Sequence, residues 1–273
     1  MYWLKMHQNL LLLGGKEMKR IAKLGVLVMV AAMVFSLAAC SSGTKTGSDT
    51  KTYVIATDTT FKPFEYENEK GERVGIDIDL LAAIAEDQGF EYELKAVGFD
   101  AALGEVSTGQ SDGMIAGMSI TDERKKTFDF SEPYFDSGVV MAVSASNDTI
   151  KSYADLKGQK VAVKTGTEGA TFAESIKDQY GFTTVSFPDS ANMYEDVKAG
   201  NSVALFEDYP VVGDAIASGV PLKMVTDMEK GSSYGFAVKK GQNPELIEMF
   251  NTGLANLKAN GKYQEILDTY IKK

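Results

Sequence analysis

The sequence predicts an α/β fold of mainly parallel sheets with helices on both faces, and three observations lead to it. Strand-like and helix-like patterns alternate along the chain beyond residue 52, the arrangement that places helices over a sheet. Gly89, Gly109, Gly181 and Gly261 follow or interrupt the helical patterns, where glycine provides a left-handed stop. The 273 residues suffice for one large domain or for two lobes with separate cores.

The elements are justified in order. Tyr53 to Ala56 reads as a buried strand. Asp77 to Asp87 carries Leu80, Leu81 and Ile84 at helical spacing. Glu91 to Lys95 alternates polar and apolar residues as a half-buried strand does. Asp100 is placed to cap a helix running to Thr108. Met114 to Met118 reads as a strand, and Asp122 to Lys126 as the start of a helix. A second series follows: strand Lys160 to Val163, helix Gly169 to Tyr180, strand Thr183 to Phe187, helix Ser190 to Ala199 and strand Val203 to Phe206. Pro210 to Ser218 is a helix with proline in its first turn, Ser233 to Val238 a strand, and Pro244 to Tyr270 two helices broken at Gly261. Ligands on such sheets lie beyond the strand C-termini, here the loops reaching Asp58, Thr121, Thr167 and Asp208.

Composition excludes several classes. The net charge of -10 argues against a nucleic-acid surface, which needs clustered Lys and Arg. The chain has one His (His7) and one Cys (Cys40), both ahead of the first strand. Without the segment through Ala39, no Cys/His metal site, no histidine-dependent nucleophile and no internal disulfide can be assembled. Neither metal nor cofactor is expected.

Residues 1–39 read as an export signal, with Met18 as the true start. Lys19, Arg20 and Lys23 precede an apolar run from Leu24 to Ala39, which ends in Leu37-Ala38-Ala39-Cys40. This ending resembles a bacterial lipobox, which implies cleavage before Cys40 and lipid on its sulfur. An uncleaved membrane-spanning anchor is the competing reading, since the run nearly spans a bilayer. Ser41 to Thr50 lacks apolar residues, so 40–51 is expected to be a lipidated Cys and flexible tether.

A free amino acid offers a carboxylate, an ammonium and a side chain. Holding it takes an Arg, an acid and something against its stem. The strand-end loops supply Asp58, Phe61, Phe99, Ser119, Arg124, Lys164, Thr167 and Asp208, though singly each is as common on a surface or in a core. Longer strings give them context. Ala56-Thr57-Asp58-Thr59-Thr60-Phe61-Lys62-Pro63-Phe64-Glu65-Tyr66, Gly75-Ile76-Asp77-Ile78-Asp79-Leu80, Ile120-Thr121-Asp122-Glu123-Arg124-Lys125-Lys126, Phe128-Asp129-Phe130-Ser131 and Val161-Ala162-Val163-Lys164-Thr165-Gly166-Thr167 stand in the order and spacing of one family. From Tyr53 to Tyr270 the chain resembles family 3 solute-binding proteins of polar amino acid ABC importers, and among them the glutamine-binding members.

That resemblance implies a type II periplasmic-binding-protein-like fold. Lobe 1 (52–137 and 233–273) and lobe 2 (138–232) would be joined by two crossings, near Tyr134 to Gly138 and Ser232 to Gly235, with ligand in the cleft. Arg124 would pair with the α-carboxylate, aided by Ser119. Asp208 and the Gly117 carbonyl would take the α-ammonium, and Phe61 and Phe99 would sandwich the stem. Asp58 and Lys164 would read a side-chain amide, while Thr167 and Glu168 would give backbone contacts at a helix N-terminus. Glu207 departs from the pattern, because the glutamine-binding members carry His there. A second acid could favour a cationic or larger ligand, or could pair with Lys164. Glutamine is therefore the expected ligand, with arginine, histidine, cystine and glutamate as alternatives. The resemblance also implies a monomer delivering ligand to ABC permease subunits, held by lipid at the outer face of a Gram-positive cell membrane. A secreted cyclohexadienyl dehydratase-like enzyme on the same fold is the reading from another class. It would need Glu207 or Glu168 as proton donor, and the Arg124/Asp208 pair for an unreacted zwitterion argues against it. A sensor module is a third reading.

Overall fold

The computed structural model describes residues 51–271. The expected signal segment, the lipidation site Cys40 and residues 40–50 of the expected tether lie outside the described residues.

The strands are β1 (Thr52–Thr57), β2 (Thr60–Phe61), β3 (Glu65–Glu67), β4 (Arg73–Val74), β5 (Glu91–Ala96), β6 (Gly113–Met114), β7 (Phe128–Phe130), β8 (Phe135–Ser144), β9 (Lys160–Lys164), β10 (Thr183–Phe187), β11 (Ala204–Asp208), β12 (Leu222–Met224), β13 (Glu229–Tyr234) and β14 (Ala237–Lys239). The helices are α1 (Ile76–Gln88), α2 (Phe99–Thr108), α3 (Glu168–Tyr180), α4 (Ser190–Lys198), α5 (Tyr209–Ala217), α6 (Pro244–Asn260) and α7 (Lys262–Tyr270). They form two mixed sheets. One is five-stranded in the order β5-β1-β6-β14-β7, and the other is six-stranded in the order β10-β9-β11-β8-β12 with β13 also on β8. A small sheet, β2-β3-β4, sits beside the first.

Each main sheet has a parallel half made of βα units, β5/β1/β6 in one and β10/β9/β11 in the other. The remaining pairs are antiparallel, so parallel pairing covers less of the sheets than expected. Alternation along the strands explains the helix placement. In β9, Val161 and Val163 join Phe172 and Ala173 of α3 in one core, while Ala162 joins Met193 and Val197 of α4 in another. In β1, Ile55 packs with Leu80 and Ile84 of α1 and Leu254 of α6, and Ala56 packs with Ala102 and Val106 of α2. Burying both faces requires near-continuous apolar strands, which Val161-Ala162-Val163 and Ala204-Leu205-Phe206 provide.

The helix ends confirm the glycine readings: Gly89, Gly109, Gly181 and Gly261 are all left-handed. Other expectations are corrected. Gly98, not Asp100, is the N-cap of α2. Asp100 instead approaches the second half of the chain: a Cβ on Gly166 would lie 3.0 Å from its Oδ1. The strand read over Met114 to Met118 stops at Met114, because Gly117 turns left-handed and gives its N–H to a side chain. The helix expected from Asp122 is one 3-10 turn, Arg124–Lys126, after which Phe128 turns into the core. Ser233 to Val238 is two strands. Tyr234 ends β13 on β8, and Ala237 opens β14 in the first sheet.

The chain thus passes between the main sheets twice, between β7 and β8 and between β13 and β14. The two passages are stitched side by side, Tyr134 N–H to Tyr234 C=O at 2.9 Å and Ser232 opposite Ser137. No described helix is long and apolar enough to cross a membrane.

Candidate functional site

The site lies where the strand C-termini of the two sheets face each other, and its residues arrive from both. Asp58 follows β1, and Lys164 ends β9. Both are fully buried, and the Lys164 ammonium is ion-paired to Asp58 Oδ2. Asp58 Oδ1 accepts the Thr59 N–H at 2.6 Å. The Lys164 Nζ also sits 4.9 Å from the Phe61 ring centroid and 6.0 Å from that of Phe99. Phe61 lies in β2 and Phe99 opens α2, so the two aromatics expected around a ligand stem meet at one cation.

Arg124 occupies the other end. Its guanidinium lies 5.3 Å from the Phe99 ring, donates to Ser119 C=O at 2.9 Å and Gly166 C=O at 3.0 Å, and stands 3.7 Å from Glu168. Glu168 is the first residue of α3, and a carboxylate there is favoured by the helix dipole. A cavity of about 910 Å³ opens beside Arg124, Gly166, Glu168 and Ser232. Ser119 contributes its carbonyl to Arg124, while its hydroxyl accepts from Ser232 Oγ at 3.3 Å. Thr167 is engaged locally as the N-cap of α3: its hydroxyl donates to Lys164 C=O at 2.7 Å and accepts the Ala170 N–H at 3.2 Å. Close approach fixes Gly117, where a Cβ would stand 2.3 Å from Phe61 Cε1.

Asp208, at the end of β11, accepts the Tyr234 hydroxyl at 2.6 Å. Glu207 points the opposite way along the strand. Its Oε2 accepts Ser190 Oγ at 2.8 Å, its Oε1 accepts the Asp208 N–H at 3.1 Å, and Ser190 Oγ is 3.5 Å from Lys164 Nζ. Glu207 is thus linked to Lys164 through the Ser190 hydroxyl.

Sequence reasoning missed Ser190, Tyr234, Glu65 and Asp77. Ser190 and Tyr234 reach the site from a helix start and a passage between sheets, which only the tertiary fold brings near. Glu65 and Asp77 lie within the family-like strings, yet nothing in their pattern says that Asp77 accepts Gly117 N–H and Tyr134 O–H, each at 2.8 Å.

The site holds more acids than cations, and burial governs their protonation. Desolvation, then repulsion from Glu207, raises Asp208 to about 7. Desolvation raises Asp77 to about 6, against the pull of its hydrogen bonds. Burial also raises Glu207, opposed by Lys164, and lifts Glu65 well above the carboxylate range, helped by Asp77. Burial works against charge on Lys164, but Asp58 and Glu207 outweigh it and raise its pKa. Burial lowers that of Arg124, against Glu168 and Asp208. No group of His, Cys, Asp and Glu able to hold a metal occurs among the described residues.

Residues 53–273 match the bacterial extracellular solute-binding proteins, family 3, and the chain belongs to that family. It is 35% identical over 218 residues to ABC transporter arginine-binding protein 1 of Escherichia coli, across 78% of this chain and 87% of that protein. Substrate-binding domain 2 of Lactococcus lactis GlnP, in open conformation, is 45% identical with a TM-score of 0.57, over 81% of this chain and 96% of that one. An ancestral arginine-binding protein bound to arginine is 36% identical with a TM-score of 0.76, over 81% and 98%, and its glutamine-bound form gives 0.75. The fold is thus the two-lobe type II architecture, and the protein is an amino-acid-binding component of an ABC transporter. The TM-score is higher against the ligand-bound relatives than against the open domain that is nearer in sequence.

The raised carboxyls have a measurable consequence. Asp208 ordinarily titrates at 3.8 and Asp77 likewise, so between about 4 and about 7 the folded chain keeps protons that the unfolded chain has released. Stability of the ligand-free protein should therefore fall as pH rises through that window. Denaturant titrations at several pH values check this, and Asp208→Asn should flatten the upper part of the decline.

Proposed function

We propose that this protein captures glutamine between its lobes and hands it to the permease of an ABC importer. The observation that carries the choice of ligand is the buried Lys164 set against Asp58. An ammonium donor beside a carboxylate acceptor complements an amide, which offers both a C=O and an NH2, whereas a cationic side chain would meet Lys164 as a like charge. Phe61 and Phe99 flank the stem. Arg124 takes the α-carboxylate, with backbone groups near Ser119, Thr167 and Glu168 around it. Asp208 and the Gly117 carbonyl take the α-ammonium, and Tyr234 orients Asp208. Glu207 acts on Lys164 through Ser190 and leaves the ammonium to Asp208.

A cationic ligand is the second reading. Buried Asp58, Glu65 and Glu207 outnumber Lys164, and the relatives include proteins named for arginine binding. We assign 52–137 with 233–273 to lobe 1 and 138–232 to lobe 2, and take the protein to be a monomer whose closed form the permease recognises. Lipid on Cys40 would hold it at the outer face of a Gram-positive membrane.

Calorimetric titration of the chain from Ser41 onward with single amino acids should give low-micromolar or tighter binding of glutamine. Binding of arginine alone would replace glutamine with the cationic reading. Arg124→Ala should weaken binding by about 3 kcal/mol or more, since the carboxylate would be left buried and unpaired, and near-normal affinity would remove Arg124 from the site. Cys40→Ser should abolish incorporation of labelled fatty acid in cells, and continued labelling would overturn the anchor.

A further inference from the structure

Three buried carboxylate oxygens beside the site have no conventional donor among the described residues: Oε1 and Oε2 of Glu65 and Oδ1 of Asp77. Both side chains are fully buried. The Asp77 N–H donates to Phe64 C=O at 2.9 Å, which sets the two residues on adjoining stretches of backbone, and two buried carboxyls brought together this way can satisfy each other only through a proton. The other Asp77 oxygen settles which of them carries it. Oδ2 already accepts two donors, the Gly117 N–H and the Tyr134 hydroxyl, both at 2.8 Å, which favours the charge on Asp77 and leaves Glu65 as the acid able to donate.

We propose that Glu65 and Asp77 share one proton and act as a positioning pair, setting the Gly117 carbonyl for the ligand ammonium and tying it to Tyr134 where the chain first passes between the sheets. The inference rests on the reading of Gly117 as an ammonium contact. Its mechanical basis is the absence of slack around Gly117. The residue is left-handed at φ 52°, and Phe61 lies too close to admit even a Cβ. Asp77 can hold it only while a single charge sits on the pair, because a second would push the carboxyls apart and carry Gly117 with them. The surroundings favour that state. Glu65 faces Asp58 as well as Asp77, with Lys164 as the opposing cation, and Tyr134 faces the acid pair and Tyr234. The Tyr134 ring also packs 6.2 Å from that of Tyr234, whose hydroxyl holds Asp208. Both ammonium contacts, Gly117 and Asp208, are thereby joined to the two passages between the lobes.

Infrared spectroscopy and glutamine calorimetry on the purified protein test this, with arginine as the substitute titrant. At neutral pH the wild type should show the C=O stretch of a buried neutral carboxylic acid that disappears in Glu65→Gln. The difference between the two spectra is the readout, since Glu207 and Asp208 add signals of their own. Glu65→Gln keeps an N–H that can donate to Asp77 and should bind within about threefold of wild type, whereas Glu65→Leu should lose about tenfold or more while still melting in one transition. Loss of no band in Glu65→Gln overturns the shared proton, and equal losses in both variants overturn the positioning role. Should Glu65→Leu fail to fold, Tyr134→Phe replaces it. That variant removes the tie to Asp77 while keeping both carboxyls and the ligand contacts in place, and should still weaken binding; unchanged affinity overturns the coupling. If the wild type binds no amino acid, the functional reading fails, and the infrared difference still decides the state of the pair.

Discussion

The arrangement of the whole cleft depends on one ion pair, Lys164 with Asp58, held where water has no access. Removing two charges from water is costly, and their attraction offsets that cost only when the remaining donors and acceptors are satisfied. Here they are. The second Asp58 oxygen takes the Thr59 N–H, Lys164 has Ser190 within 3.5 Å, and the Phe61 ring face lies against the ammonium. Because the partners come from different sheets, the cost depends on the arrangement of the lobes. Each charge is therefore satisfied only while the two sheets hold these strand ends together.

The rest of the site follows from how the strands are buried. Strands covered on both faces cannot place polar side chains along their length, and polar groups are confined to their ends. Lys164 and Asp208 are the last residues of β9 and β11, and Asp58 comes one residue after β1. Antiparallel β8 and β13 supply what the parallel halves cannot, a pair of strands that runs out of one lobe into the other. Tyr234 lies at the end of that pair, with its ring among Phe61, Phe64, Tyr134 and Phe135 and its hydroxyl between Ser137 and Asp208. One side chain therefore meets the first core, the passage and the buried Asp208.

Much of this is legible in the sequence, and the illegible part has a physical cause. Local chemistry wrote the helix ends at glycine, the strands of β9 and β10 and the ligand-facing strand ends, because each depends on neighbours within a few residues. β8 was missed although Val139-Val140-Met141-Ala142-Val143 is a continuous apolar run; flanked by no helical unit, it fell outside the alternation that guided the reading. The division of Ser233 to Val238 was hidden because a change of sheet leaves no mark on side-chain polarity. Within the site, Arg124, Asp208, Asp58 and Lys164 announce their chemistry by type. Ser190, Glu65 and Asp77 do not, since a serine or an acid at a helix start is an ordinary capping residue, and Glu65 opens a short strand in a polar stretch that reads as surface until the fold turns it inward.

Glu207 illustrates how tertiary structure resolves what sequence leaves open. An acid beside Asp208 in sequence suggests two acids at one ammonium, but successive residues of a strand point to opposite faces. β11 sends Asp208 toward Tyr234 and Glu207 toward Ser190, so the neighbours serve opposite ends of the cleft. The added acid therefore bears on Lys164. After Asp58 it helps to raise the basicity of that ammonium, and the Ser190 hydroxyl it accepts from stands 3.5 Å from Lys164 Nζ. The electrostatics around Lys164 are therefore set partly by a residue on the strand face opposite Asp208, and not by the count of acids in the sequence.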